Sequence, residues 1–360
     1  MGTNMKVILL SAGDNPHTEK IANELSKEHS VFLVSLHPLS SNYSDRVVKY
    51  KLTLNPGLGY IFSFFELRKI IKEVKPDILN AHYASGYGLL ASLSGFEHAV
   101  LSLWGSDIYI FPRKSFLHKW LIGYNIRKSK VVASTSRVML DRARTMFNFD
   151  NYIITPFGVD TKKFSPKPKL NIEETVTIGT VKSLKKIYGI DILIKSYALV
   201  IHKLDNSKRI RLRIAGDGPE MDYLKSLSVS LGISESVEFI GRINNSEVPD
   251  FLNELDVFCS LSHSESFGVS ALEASSCGLP VVTSRADGFE ETVIDNVTGY
   301  RVEHSNLNEV ASILYKLIID RQLRMKLGSS GRKFVCEKFN INSISTNFKS
   351  AYDMALSVEK

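Results

Sequence analysis

Two carboxylates, Glu265 and Glu273, stand either side of a turn at Phe267 and Gly268. The residues ahead of the turn, Ser260 to Ser266, are mostly small and polar, as a turn into a helix would be. Behind it, Val269, Leu272 and Ser276 fall on one face of a helix, which Gly278 and then Pro280 bring to an end. Residues 279–283 follow as a short apolar run, read as a buried strand. A helix that begins after small residues presents backbone amides, here around Phe267, Gly268 and Val269, and such a group suits a phosphate. Glu273 sits among Ala271, Leu272, Ala274 and Cys277, where a carboxylate is costly without partners. Glu265 is in the loop just upstream, so both acids could point at one polar ligand beneath the phosphate. The plainer alternative is two solvated glutamates, the commonest fate of that residue type.

The elements that would position this stretch alternate between strand and helix. Residues 6–10, 16–28 and 31–35 read as strand, helix and strand, the opening of a doubly wound domain. The turn after the first strand carries Gly13 alone, and Gly57-Leu58-Gly59 and Gly216-Asp217-Gly218 lack a third glycine, so no dinucleotide fingerprint is present. Residues 58–75 read as a helix with Phe62, Phe65 and Ile70 in the core. Residues 78–82 form a strand ending in His82, at the carboxyl end where open α/β sheets bind ligands; a satisfied structural histidine is the alternative. Residues 100–103 form the next strand and lead to Trp104, which could stack on a ring or simply pack. In 113–130, Phe116, Leu117, Trp120, Leu121 and Tyr124 recur at helical spacing between basic residues. That is either an amphipathic basic helix lying on an anionic membrane or a core-packed helix with a charged outer face. Residues 165–169 are polar and carry two prolines, as a linker would. Strands at 176–179, 211–215, 237–239 and 256–259 then alternate with helices at 220–231 and 248–255, and helices follow at 306–320, 320–339 and 341–357.

At 360 residues the chain is long enough for two domains with separate cores. Hydrophobic content of 44% and charged content of 23% are those of a globular protein. No apolar run reaches the roughly 18–20 residues of a membrane span, and the start runs straight into a strand with no visible signal peptide. The three cysteines have no metal-ligand spacing, which fits a reducing, cytoplasmic setting. The net charge of +7 is uneven: residues 1–165 hold 21 Lys and Arg against 13 Asp and Glu, and 113–144 holds nine basic residues with Asp141 the sole acid. Such a patch asks for an anionic partner. A membrane surface at 113–144 is favoured over nucleic acid, for which no binding motif is present.

The segment "ESFGVSALEASSCGLPVV" followed by "DGFEETVIDNVTGY" strongly resembles the family 4 retaining glycosyltransferases of the GT-B fold. The resemblance implies an α/β chain of two Rossmann-like doubly wound domains facing across a cleft, with the last helix crossing back to the first domain. Its boundaries would be an acceptor-binding domain at 1–165, joined by 341–360, and a nucleotide-sugar-binding domain at 170–340. On the donor side it implies Lys186 on the diphosphate, with Lys185 an adjacent competitor, and Gly241, Arg242 and Ile243 against the nucleotide base. On the acceptor side it implies His82 and Asp107, and a first turn facing the cleft, where Gly13 would let a substrate approach the backbone. Five positions depart from the family pattern: Ser266 and Asp287 replace glycines, Thr180 an arginine, Trp104 a histidine and Phe157 an asparagine. Thr180 cannot grip a diphosphate as a guanidinium would, and Lys182 is the nearby substitute.

The implied chemistry is transfer of a sugar from a nucleoside-diphosphate sugar to a saccharide or lipid-linked acceptor, in surface polysaccharide or glycan biosynthesis. Lys186 and the amides at 267–269 would stabilise the leaving diphosphate. Glu273 would hold the ribose hydroxyls, and Glu265 the transferred sugar or its developing positive centre. No cofactor and no metal are expected, since no D-x-D-like pair is evident. The expected location is the cytoplasm, at the inner face of the membrane where 113–144 engages it. The rival readings are a catalytically silent nucleotide-sugar-binding relative and a glycoside hydrolase using Glu265 and Glu273 as its acid and base.

Overall fold

In the computed structural model, which describes residues 4–168, 175–204 and 209–357, the chain divides into two compact units, 1–158 with 341–360 and 159–340. The expected domain start at 170, Lys169 of the linker and the last three residues of the final segment lie outside the described residues.

The first unit holds seven strands: β1 Lys6–Leu10, β2 Ser30–Ser35, β3 Val47–Lys51, β4 Ile78–His82, β5 Ala99–Leu103, β6 Val131–Ser134 and β7 Tyr152–Ile154. All pair in parallel in the order β3-β2-β1-β4-β5-β6-β7. β1, β4, β5 and β6 are nearly continuous runs of buried residues, as strands covered on both faces must be. The second unit holds β8 Val176–Val181, β9 Ile210–Ala215, β10 Val237–Gly241, β11 Val257–Ser260, β12 Val281–Ser284 and β13 Gly299–Val302. These too are parallel, in the order β10-β9-β8-β11-β12-β13. Each sheet reverses its winding once, between β1 and β4 and between β8 and β11. The loops leaving those strands are therefore neighbours, and such switch points are where open α/β sheets form their sites.

Two expectations are corrected, and of the two alternatives for 113–130 the core-packed one does not hold for Phe116, Leu117 and Trp120. The helix at 58–75 is two, Gly59–Phe62 and Phe64–Val74, and Phe62 and Phe65 are exposed while Leu67, Ile70 and Val74 are buried. Leu67, Ile70 and Val74 share a face at helical spacing, and Phe65 lies on the opposite side. In Phe116–Lys128 the buried face is Ile122, Asn125 and Ile126, leaving Phe116 79% and Trp120 53% exposed. The division between units falls at 158 rather than in 165–169. The reason is local: the Val159 amide donates to the Phe339 carbonyl at 2.7 Å, and buried Phe164 has its carbonyl taken by the Ser276 hydroxyl at 2.6 Å. Strand β3 was not foreseen. It is a five-residue edge strand with exposed Lys49 and Lys51, which protect an edge from mispairing and also disguise it.

Among the described residues no helix is long and apolar enough to cross a membrane.

Candidate active site

At the switch point of the second sheet, β8 ends in Thr180 and Val181 and hands the chain to Lys182. Beside it, β11 hands the chain to the loop that carries Glu265. Lys182 Nζ donates to Glu265 Oε2 at 2.6 Å, and the two side chains are only 14% and 13% exposed. The ammonium also lies 4.9 Å from the Tyr188 ring centre. Ser262 Oγ adds a longer bond of 3.4 Å to the same carboxylate oxygen.

Thr180 is fully buried, and its hydroxyl has no hydrogen-bond partner. Its side chain belongs to the core, and Lys182 is the cation next to the loop. Lys185 and Lys186 are both exposed, at the start of the turn Lys186–Tyr188. Three glycines fix the path of residues 182–189. A Cβ on Gly216, whose φ is +140°, would lie 1.8 Å from the Lys182 carbonyl oxygen. One on Gly218 would lie 2.4 Å from that of Leu184, and one on Gly189 2.1 Å from that of Leu261. Only residues without a side chain allow backbone to pass this close to backbone. Gly216-Asp217-Gly218 is thus a packing device for the segment bearing Lys182.

The loop after Glu265 is built the same way. Gly268, at φ +84°, caps the helix Val269–Ser276, and a Cβ there would meet the Phe289 ring at 2.7 Å. Phe267 is buried, 5.8 Å from the Phe339 ring. The Gly288 amide donates to the Glu265 carbonyl at 3.0 Å, and a Cβ on Gly288 would fall 2.4 Å from the Phe267 nitrogen. Its neighbour Asp287 points to solvent, so the second glycine of the family pair is required and the first is not. Ser266 has no positive φ, so a side chain is tolerated there as well. Val269 stands at the first helical position, and Glu273 is half-buried on the next turn. Gly241 turns at φ +79° and its carbonyl accepts the Gly216 amide at 2.8 Å, so the base-side segment abuts the Gly216 turn; Arg242 is exposed and Ile243 half-buried.

In the first unit, β1 and β4 bring Ser11 and His82 together. His82 Nδ1 is hydrogen-bonded to Ser11 Oγ at 3.0 Å, and Ser11 Oγ to Thr18 Oγ1 at 2.8 Å. His82 is fully buried with no partner for Nε2, and burial pushes its pKa down to about 3, so the ring is neutral. The Trp104 ring lies over it at 4.3 Å and is itself almost fully buried. Phe157 meets Trp104 edge-on at 5.2 Å and stacks on His17 at 4.3 Å. Two of the five departures from the family pattern, Trp104 and Phe157, are therefore one packing unit. Asp107 is buried and accepts from the amides of Gly105 at 2.7 Å, Ala84 at 2.9 Å and Trp104 at 3.2 Å. Burial raises its pKa against these bonds, and its role is to tie the end of β4 to the end of β5. Gly13 is hemmed in by its own chain: a Cβ would meet Leu39 and the Pro38 carbonyl at 2.7 Å. The crowding there comes from residues 38–39, which accounts for the glycine without a substrate.

Residues 161–334 match the family described as glycosyl transferases group 1, and residues 6–136 the one described as glycosyl transferase 4-like. The chain is a family 4 glycosyltransferase. It is 25% identical over 358 residues to the N-acetyl-alpha-D-glucosaminyl L-malate synthase of Bacillus anthracis, across 92% of each protein. It is 31% identical over 203 residues to the capsular polysaccharide biosynthesis glycosyltransferase CapM of Staphylococcus aureus, across 56% of this chain and 52% of that one. The structure of Anabaena HepE in complex with UDP and glucose superposes with a TM-score of 0.81 at 18% identity, over 97% of this chain and 100% of that one. The two parallel sheets are those of the GT-B fold.

For this glycosyltransferase the hydrolase reading of Glu265 and Glu273 is set aside. Several residues that shape the site were not singled out from sequence. Asn125 donates to the Ala84 and Ser85 carbonyls at 2.8 and 3.2 Å, anchoring the turn after His82; a lone amide between Ile122 and Ile126 was the available signal. Tyr83 takes a left-handed φ of +68° between His82 and that turn, a strain that no sequence pattern announces. His263 and His304 form a third such feature.

Proposed function

We propose that this glycosyltransferase moves a sugar, with retention of anomeric configuration, from a nucleoside-diphosphate sugar to a saccharide or lipid-linked saccharide acceptor. The observation that carries the reading is the Lys182–Glu265 pair at the switch point of the second sheet, beside the first turn of Val269–Ser276. It places a cation, a carboxylate and helix-start amides within one loop cluster. The amides at 267–269, Lys182 and Lys186 take the charge that builds on the leaving diphosphate. Gly241, Arg242 and Ile243 receive the base, Glu273 the ribose, and Glu265 the transferred sugar. The acceptor attacks from the face the diphosphate leaves, and an oxygen of the leaving phosphate takes its proton. No metal is required in this scheme, because the leaving charge is met by lysines and amides.

Relatives and neighbours support the substrate class: HepE was solved with UDP and glucose, and CapM is a capsular polysaccharide enzyme by description. We place the work of the protein in surface-glycan assembly at the inner face of the cell membrane. The exposed Phe116, Leu117 and Trp120 between Lys114, Lys119 and Lys128 provide apolar and cationic contacts for anionic lipid. His82, Trp104 and Asp107 then act on the acceptor side through the shape of the loop they pack.

The test is a thermal-shift panel of UDP, GDP, ADP, CDP and TDP, with and without magnesium. A nucleotide at about 100 times its dissociation constant stabilises by about 2.7 kcal/mol. The reading expects one base to shift the second unit without metal, and the shift to vanish in Glu273→Ala. No shift with any nucleotide overturns it, whereas the silent relative that buried Thr180 keeps in view would shift with one base and turn over no nucleotide sugar.

A further inference from the structure

His263 lies two residues ahead of Glu265, on the loop that leaves β11. Its amide donates to the Ile187 carbonyl at 2.8 Å, joining the loop to the turn Lys186–Tyr188. Its ring nitrogen Nδ1 is 2.9 Å from Nε2 of His304, just beyond β13, and the rings meet edge-on at 4.6 Å. His304 Nδ1 in turn lies 3.3 Å from a Glu303 carboxylate oxygen.

This relay constrains where protons sit. In the His263 Nδ1–His304 Nε2 contact one nitrogen must donate and the other accept. With the His304 proton on Nδ1, the side nearer the Glu303 carboxylate, its Nε2 accepts and His263 donates from Nδ1; that carboxylate also accepts from Ser305 Oγ at 3.1 Å. The Nε2 of His263 is then the position left for a further proton, and adding one leaves the contact with His304 intact, with Glu303 near as counter-charge.

We propose that His263 is a titratable donor-side residue, whose protonated ring supplies a second positive charge beside the Lys186 turn when a nucleoside diphosphate binds. The inference rests on the donor-site reading above. The charges around the ring come from every neighbouring element. Burial holds the His263 pKa below the usual histidine value, His304 and Lys186 act in the same direction, and Asp191, at the start of the helix Ile190–Lys203, opposes them. Asp191 is itself held by Lys195 at 2.8 Å, the Glu303 amide is taken by Glu309 at 3.2 Å, and Lys182 with Glu265 flank the loop. The ring is therefore neutral near pH 7 without ligand. A diphosphate that offsets Lys186 removes one of the opposing charges and adds a favourable one. Binding then takes up a proton, so affinity rises as pH falls.

The experiment is isothermal titration of the full chain with UDP, GDP, ADP, CDP and TDP between about pH 6 and pH 8, in wild type, His263→Asn and Glu303→Gln. The nucleotide's own phosphate titrates identically in all three, so the difference between proteins is the readout. Wild type should gain about three- to tenfold more affinity than His263→Asn over this range, the effect of a shift of half to one pKa unit on binding. Glu303→Gln should keep the effect but move its midpoint to lower pH, because the counter-charge is gone. Equal pH dependence in wild type and His263→Asn, both binding, overturns the role of His263. An unmoved midpoint in Glu303→Gln overturns the relay. Failure of all five nucleotides to bind wild type at every pH overturns the donor-site reading, and this inference with it.

Discussion

The Lys182–Glu265 pair should be a strongly coupled ion pair of the second unit. The perturbation is a double-mutant cycle of Lys182→Met and Glu265→Gln. Two unit charges about 4 Å apart attract by about 4 kcal/mol at an effective dielectric of about 20. Fixing the lysine costs about 1–2 kcal/mol of rotamer freedom, leaving about 2 kcal/mol of coupling. The low exposure of both side chains keeps the pair above the 0.2–1 kcal/mol range of surface pairs. Lys167 and Asp250, both more than half exposed, provide the internal control and should couple far more weakly. Urea denaturation followed by two probes separates the units. Both tryptophans, Trp104 and Trp120, lie in the first unit, so their emission tracks it, while circular dichroism tracks both. Each single variant should destabilise the transition seen only by circular dichroism, and the double variant should cost less than their sum by about 2 kcal/mol. Additivity within about 0.3 kcal/mol, or coupling no larger than in the Lys167–Asp250 control, would refute the argument that the pair is an organising contact of the site.

Acid should weaken the first unit through His82. Its folded pKa of about 3 lies below the unfolded value of about 6.5, so the neutral form is bound in the fold and stability is lost as pH drops below the unfolded pKa. The loss between pH 8 and pH 5 is about 2 kcal/mol from this group alone. His17 adds a slope of the same sign; tryptophan emission in urea should show the slope reduced in His82→Gln. Gly216→Ala should cost the second unit at least about 2 kcal/mol, through a φ of +140° and collision with the Lys182 carbonyl. Gly232→Ala, at φ +68° in open space, should cost about 1–2 kcal/mol, and equal losses in urea would discard the packing argument. Turnover of a nucleotide sugar should drop at least tenfold in Lys186→Ala and stay within about twofold in Lys185→Ala, one protein-phosphate contact being worth more than about 1.4 kcal/mol; the reverse ranking would move the phosphate contact to Lys185.

Local pattern carried the elements and left the contacts between them unread. The helix end at Gly278 was legible because a left-handed glycine after an apolar turn has one common use; its φ is +79°, and the Leu279 amide closes back on the Ala274 carbonyl at 3.1 Å. The strand ending at His82 was legible from Pro76 and Asp77 ahead of it and from Ile78, Leu79 and Ala81 within it. What the end of a strand touches depends on strand order, which pairs residues far apart in sequence. Lys182 meets Glu265 across 83 positions, and His263 meets His304 across 41. The same holds for Trp104 and Phe157, which looked like two unrelated departures and form one aromatic contact. Phe62 and Phe65 misled for a different reason: hydrophobicity alone does not say which face of a helix is covered.

Tyr352 has a consequence for how the molecule is born. Its buried hydroxyl is bonded to Asn80 at 3.1 Å, and Asn80 to Ser102 at 2.9 Å, so the helix Ser343–Ser357 closes on strands near the middle of the first sheet. The bond spans 272 positions, whereas the second unit is one uninterrupted stretch of chain. On the ribosome the first unit must wait for residues 341–357, which are made only after the whole of the second unit. Its incomplete sheet, with the groove for Ile344, Phe348 and Tyr352 uncovered, is then the longest-lived exposed apolar surface of the nascent chain and the place where a chaperone would bind.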